Sequence, residues 1–458
     1  MTSKMNKAVL ATLVAASLSG TAYAAGEAKN VIFFLGDGMG ATTVTAARIY
    51  KYGEAGMLNM EKLERTARIK TFSNDAQTTD SAPSMSAYMT GVKMNNEVIS
   101  MSANTVAVDP GKDGAGNKTI NNCLASNGTS VSTLLELAKA KGKAVGAVTT
   151  TEVTHATPAA TYAHICHRDA QYDIAAQAAP GGAGYNTAMG DGLNVLFGGG
   201  ANHFTPYDAA ANTKGRADGR NLVNEMKAKG YVYASNTTEF NAIPASASKA
   251  LGLFTTSSHM SYELDRDPAK QPSLSEMTAK AIDILSQDPD GYVLMVEGGR
   301  IDHALHGTNA KRVMEDTIAF DDAIKTALDK VDLSKTLIVV TADHDHTMVI
   351  NGYAKKGNPI LDISRSYRDG QPNKDADGNT YTTLAFGNGP NRPSVRTNVD
   401  SATALGNDYL QESAIRLNSE THGGADVMLM ASGAGASRFK GTMDNTRVFP
   451  LLKEALGF

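Results

Sequence analysis

Six apolar runs, alternating through most of the chain with stretches of helical spacing, constrain it more than any other feature. Val31-Ile32-Phe33-Phe34-Leu35 and Leu337-Ile338-Val339-Val340 show no polar alternation, as expected of strands covered on both faces. The predicted strands are residues 30–35, 144–149, 194–197, 292–296, 336–341 and 426–431. The predicted helices are 132–141, 221–229, 274–287, 309–330 and 443–456. In the 309–330 segment Val313, Ile318, Ala319, Ile324 and Leu328 recur at helical intervals. Strands alternating with helices predict an α/β fold, with a large, mostly parallel central sheet flanked by helices on both faces.

Two stretches depart from that rhythm. Residues 1–24 carry Lys4 and Lys7, an apolar run from Ala8 to Leu18 and a small-x-small end at Ala22-Tyr23-Ala24, which predicts a cleaved signal peptide. That run is too short to span a bilayer and no later stretch is long enough. The mature protein is therefore expected in the periplasm or outside the cell, free of the membrane. Residues 352–420 are rich in Gly, Asn, Asp, Pro and Ser, with turn dipeptides such as Asp369-Gly370 and Asp377-Gly378. They read as an insertion into a catalytic core of 25–351 and 421–458, either covering a cleft, meeting a partner subunit or forming a flexible surface excursion. A net charge of −4 gives no basic surface for nucleic acid. Cys123 and Cys166 are the only cysteines. An exported chain permits one disulfide, though the sequence cannot show that the geometry allows it. Two cysteines cannot build a Cys-rich zinc site, so any metal must rest on His, Asp and Glu.

The chemistry-bearing residues gather just past the apolar runs, where open α/β sheets bind ligands. Asp302 and His306, four apart, would face the same way on one helical turn and share a cation. Asp343 and His344 follow the 336–341 run. Mixed Asp/His ligation suits zinc, and two such sites in one cleft suit a metal pair clamping an in-line displacement. Asp37 ends the first run between Gly36 and Gly38, although Asp and Gly belong in turns anyway. The segment Thr79-Asp80-Ser81-Ala82-Pro83 predicts a loop entering a helix, with Ser81 at the N-terminus, where the macrodipole favours an alkoxide and a phosphate. Alone, it would be an ordinary capping serine. No Gly-x-Ser-x-Gly elbow is present, so a metal rather than a histidine is expected to activate that hydroxyl. His155 and Thr157 are expected to project the same way from extended chain. Thr157 with Glu297 suits an oxygen-ligated Mg²⁺, and the planar fork of Arg168 suits a phosphate. His422 offers another imidazole before the 426–431 run. His164, His167, His203 and His259 lack comparable company and read as structural or surface residues.

Taken together, these segments resemble the alkaline phosphatase family over essentially the whole mature length. The matching pieces are Gly36-Asp37-Gly38-Met39-Gly40, Thr79-Asp80-Ser81-Ala82, His155-Ala156-Thr157-Pro158-Ala159 with Arg168, Glu297-Gly298-Gly299-Arg300-Ile301-Asp302-His303, Thr341-Ala342-Asp343-His344 and Thr421-His422. They occur in the family's order with similar spacing. The resemblance implies a two-zinc, one-magnesium enzyme. Asp302, His306 and His422 would hold the first zinc, and Asp37, Asp343 and His344 the second. Asp37 would bridge to Mg²⁺, shared with Thr157 and Glu297. Ser81 would be the nucleophile and Arg168 the phosphate clamp. His155 and His303 match the branch of the family with histidines there and would act indirectly, near magnesium and phosphate. His346 would orient a zinc-ligand carboxylate in the same way.

The resemblance also implies a homodimer, with 352–420 as its crown. Pro83 and Met85 depart from the small residues common after the nucleophile, so the start of that helix is expected to differ in detail. A calcium site of some animal relatives is only partly matched, by Glu263 but with Gln271 at a usually acidic position, so no calcium is expected. The implied activity is hydrolysis of a broad range of phosphate monoesters to alcohol and inorganic phosphate through a phosphoserine. Rival readings are a phosphodiesterase of the same superfamily and a non-catalytic periplasmic phosphate- or metal-binding protein. Ser81→Ala separates the last from an enzyme.

Overall fold

A computed structural model describes residues 28–458 apart from 115 and 211–213; the predicted signal peptide lies outside the described residues. Ten strands form one sheet in the order Gly441–Asp444, Arg65–Lys70, Val427–Gly433, Thr336–Thr341, Asn30–Gly36, Tyr292–Gly298, Ala144–Glu152, Val195–Gly199, Ala250–Leu253, Val232–Ala234. All neighbours are parallel except Val427–Gly433, which runs antiparallel to both its partners. The unbroken apolar runs occupy the centre. Val31 to Leu35 and Leu337 to Val340 are fully buried, because helices cover both faces there. Ala310–Lys330 packs with Leu274–Leu285 and Ala41–Tyr52, while Ser81–Thr90 packs with Val448–Leu456 and Leu134–Ala140. Each fully buried Leu, Ile or Val in this core contributes about 1.5–3 kcal/mol relative to exposure.

The five predicted helices are present with ends set by capping. Thr133 and Glu136 form a capping box, so the first begins at Leu134, and Ser273 with Glu276 does the same for Leu274–Leu285. The fifth needs correction. Met443 lies not in a helix but in the edge strand Gly441–Asp444, opposite Ile69. Asp444 then caps a short 3₁₀ turn, Asn445–Arg447, and the α-helix proper is Val448–Leu456.

Within and beside residues 352–420, Met348–Ile350, Leu384–Gly389 and Ser413–Arg416 make a separate three-stranded sheet. Arg396 ties this region together through Asp375 and Glu412. Its outer side chains include Tyr353 and Val395, 82% and 75% exposed. Cys123 and Cys166 do form a disulfide, with Cα atoms 5.9 Å apart. No helix among the described residues is long and apolar enough to cross a membrane.

Candidate active site

Strand order explains how residues distant in sequence meet. Thr336–Thr341, Asn30–Gly36, Tyr292–Gly298 and Ala144–Glu152 are consecutive parallel neighbours. Their carboxyl ends therefore lie in a row at about 4.8 Å spacing. Asp343, Asp37, Glu297 and His155 stand at or just past those four ends, which places them around one crevice. Gly38 makes the first turn possible. It adopts φ +64°, and a Cβ there would fall 2.5 Å from the His346 ring. Its N–H donates to Asp343 Oδ1 at 3.0 Å.

Ser81 opens the buried helix Ser81–Thr90, with Asp80 as the N-cap. Asp80 Oδ2 accepts from the Ala82 N–H at 3.2 Å, so the helix starts regularly despite Pro83, which needs no N–H in the first turn. Ser81 Oγ lies 3.2 Å from His344 Nε2 and 3.4 Å from Asp37 Oδ1. Arg168 is bound through one guanidinium nitrogen to Asp80 Oδ1 and donates through the other to His155 Nε2 at 2.9 Å. Burial alone would weaken the Arg168 charge, but Asp80, Glu97 and Asp37 hold it fully protonated. The nucleophile and the clamp thus share Asp80.

Three acid-bearing groups of ligand atoms each converge within 4.8 Å: Asp302, His306, His346 and His422; Asp37, Asp343 and His344; Asp37, His155 and Glu297; a fourth, His155, His259 and His303, is made of imidazoles alone. In the first, the helix Arg300–His306 brings His306 Nε2 to 3.3 Å from Asp302 Oδ1. His422 Nε2 lies 3.1 Å from His306 Nε2. His346 is engaged at both nitrogens, by Asp302 Oδ1 at 2.7 Å and Glu420 Oε2 at 2.5 Å. It therefore orients Asp302 rather than offering a lone pair of its own. In the second group, His344 Nε2 is 3.3 Å from Asp37 Oδ1 and 3.5 Å from Asp343 Oδ2.

The electrostatics of the three groups favour cations. Asp37 Oδ2, Asp343 Oδ2 and Glu297 Oε1 are buried without a hydrogen-bond partner. The Thr157 hydroxyl lies beside Glu297 and likewise has no partner of good geometry. Burial first, and then the crowding of Asp343, Asp302 and Glu297, pushes the Asp37 carboxyl well above the usual carboxylate range. Burial also lifts Glu297 to about 7. Asp302 goes the other way: burial opposes its charge, but His306, His346 and His422 pull it well below the ordinary value. His344 is held neutral by burial and by the His422 ring stacked 3.5 Å away, and a neutral imidazole is the form that binds metal. Carboxylate oxygens, neutral imidazoles and a hydroxyl, buried and aimed inward, fit Zn²⁺ at the mixed groups and Mg²⁺ at the oxygen-rich one.

The geometry also corrects two expectations. His155 and Thr157 do not project from extended chain: His155 is the N-cap of the short helix Ala156–Ala159, and Thr157 sits within it. His259 is not without company. Its ring lies 4.3 Å from His303 and 5.0 Å from His155. The trio is neutral, because burial and neighbouring positive charge push His155 well down, His259 to about 2 and His303 to about 4. His259 Nδ1 accepts the Glu152 N–H at 3.1 Å, which leaves the ring proton on Nε2. His259 therefore packs edge-on against the clamp's His155, with its Nδ1 engaged by the main chain. His164, His167 and His203 stay structural: His164 bonds Glu136, His167 faces Asp109, and His203 bonds Thr154. Sequence reasoning also gave no role to Asp80, a capping aspartate visible only as the residue before Ser81, or to Glu420.

Fold and site together define a class: an α/β protein whose buried acids and imidazoles are arranged to hold cations beside a serine hydroxyl. Comparison with known proteins narrows it. A family model described as alkaline phosphatase matches residues 28–458. The tissue-nonspecific alkaline phosphatase isozyme of Homo sapiens is 37% identical over 450 residues, 92% of this chain and 82% of that protein. The alkaline phosphatase of Gadus morhua is 36% identical over 92% of this chain and 90% of its own length. Among solved structures, alkaline phosphatase from Thermus thermophilus superposes with a TM-score of 0.68 at 25% identity, covering 97% of this chain and 96% of that one. The alkaline phosphatase of the Antarctic bacterium TAB5 shares the fold with a TM-score of 0.67 at 24% identity, over 94% of this chain and 99% of its own. The chain belongs to the alkaline phosphatase family.

Proposed function

We propose that this protein hydrolyses a broad range of phosphate monoesters to alcohol and inorganic phosphate through a phosphoserine at Ser81, at a two-zinc, one-magnesium centre. Asp302, His306 and His422 would hold one Zn²⁺, Asp37, Asp343 and His344 the other, and Asp37, Thr157 and Glu297 the Mg²⁺. Bound there, the cations supply Lewis acidity, lowering the pKa of hydroxyl and water and offsetting charge on the phosphoryl and departing oxygens. Ser81 Oγ attacks phosphorus in line, forming the serine phosphoester as the bond to the leaving alkoxide breaks. Water then attacks the same phosphorus and restores the hydroxyl. Throughout, Arg168 grips two non-bridging oxygens, and Asp80 and His155 keep its plane fixed. The Ser81–Thr90 macrodipole favours the charge that gathers at its N-terminus.

One observation carries this reading: the Ser81 hydroxyl sits 3.2 Å from His344 Nε2 and 3.4 Å from Asp37 Oδ1, beside the Asp80-bound Arg168. The test is release of phosphate from p-nitrophenyl phosphate by the purified protein. Ser81→Ala is expected to lower kcat by roughly 10⁴-fold or more, and chelation to abolish turnover until Zn²⁺ and Mg²⁺ return. Full activity after complete chelation refutes the scheme. The predicted signal peptide and the Cys123–Cys166 bridge support export to an oxidising compartment. The exposed Tyr353, Tyr367, Val395 and Ile415 support self-association through residues 352–420 as a homodimer, which sedimentation of the mature protein checks.

A further inference from the structure

Glu97 stands beside the phosphate clamp and has no part in the scheme above. Its backbone is tied to both halves of the clamp: the Glu97 N–H donates to Asp80 Oδ2 at 3.0 Å, and the Glu97 carbonyl accepts from the Arg168 N–H at 2.8 Å. The residue adopts φ +71°, a left-handed conformation that a residue with a side chain keeps only when its surroundings hold it there. Asp80 is fully committed, with Oδ1 on Arg168 and Oδ2 on the Ala82 and Glu97 N–H groups. The Glu97 carboxyl, by contrast, takes no hydrogen bond among the described residues. It lies in the field of Asp80, Arg168, Asp169 and Asp109, and Asp109 Oδ1 in turn lies 3.7 Å from His167 Nε2. Burial and the neighbouring carboxylates push it up to about 7, so its charge appears across neutrality.

We infer that Glu97 is a positioning residue that acts through Arg168 to set how tightly the site retains phosphate. Ionised, its carboxylate offsets part of the guanidinium charge that a phosphate dianion meets, and so loosens the product. A strained backbone delivers that second counter-charge to an arginine whose geometry Asp80 already fixes. The inference rests on the phosphomonoesterase reading and adds a determinant of product release to it.

The test is steady-state hydrolysis of p-nitrophenyl phosphate by the metal-replete mature enzyme, with inorganic phosphate as inhibitor, between pH 6 and pH 9. In Glu97→Gln the Ki for phosphate is expected to fall on the order of five-fold at pH 9, with KM falling alongside. The gap should close toward pH 6, where the wild-type carboxyl is protonated. Glu97→Gly removes the charge while suiting the left-handed backbone, and is expected to reproduce the shift without loss of thermal stability. An unchanged Ki in both variants at pH 9 overturns the inference, and so does a shift of equal size at pH 6, which marks a structural effect. Both outcomes leave the phosphatase reading intact. A wild-type protein that releases no phosphate from the ester overturns that reading instead.

Discussion

Glu420 shows how far the site extends behind its ligands. Its two oxygens hold His346 Nδ1 at 2.5 Å and the Thr347 N–H at 2.7 Å, and His346 in turn fixes Asp302. Glu420→Gln weakens that chain without replacing a proposed ligand, and is expected to reduce zinc retention roughly 10- to 100-fold, read by competition with a chromophoric chelator. Gly38 has no such latitude. In Gly38→Ala the left-handed backbone and the nearby His346 ring oppose the methyl, with an expected loss of about 2 kcal/mol of stability, measured by urea unfolding, and a lower kcat. The grouped acids and imidazoles were legible in sequence where they follow an apolar run, as Asp37 and Asp343 do, or recur at helical spacing, as Asp302 and His306 do; His422 instead precedes its run. His259 and Glu97 were not. Neither adjoins a strand end, and only tertiary packing carries them to His155 and Arg168.

At the scale of elements, the capping box at Thr133 and Glu136 doubles as a buried pair. Glu136 Oε1 meets His164 Nε2 at 2.6 Å. Burial raises the Glu136 carboxyl, but His164, Asn186 and the Thr133 N–H bring it below its ordinary value. Burial lowers His164, yet Glu136 and the Ser100 carbonyl leave it raised. The His164 contribution is therefore complete below the unfolded imidazole value and is lost as pH rises through its raised folded value. The Glu136 contribution is present above the unfolded carboxyl value and is lost as pH falls through its depressed one. Glu136→Gln should thus cost most in the acid-to-neutral window, about 3 kcal/mol, and less at pH 9, as read from urea midpoints at both values. Central strands declared themselves by unbroken apolar runs. Strands near the margin did not: Arg65–Lys70, second from one edge, exposes four of its six residues, and its charged alternation carries no core signal. The same edge misled the helix start at Met443, where four strand residues feed a capped turn.

Across the whole molecule, the Cys123–Cys166 bridge joins residues 43 apart and ends two residues before Arg168. Replacing both cysteines with alanine is expected to cost about 4 kcal/mol by the loop-closure relation and to raise KM more than it lowers kcat, because the clamp's approach loosens while Ser81 stays in its helix. Thermal unfolding and steady-state kinetics on the double variant check both halves. The α/β class and the crevice at the sheet's carboxyl edge followed from the alternation of runs. The order of the strands, which decides that four remote segments become neighbours, did not, since pairing depends on long-range packing that no local stretch encodes. That order has a consequence for biogenesis. Because Asp37 is made hundreds of residues before His422, a fragment that stops short of His422 lacks part of the acid and imidazole cluster. A chain still in transit before that point is therefore expected to be chemically silent.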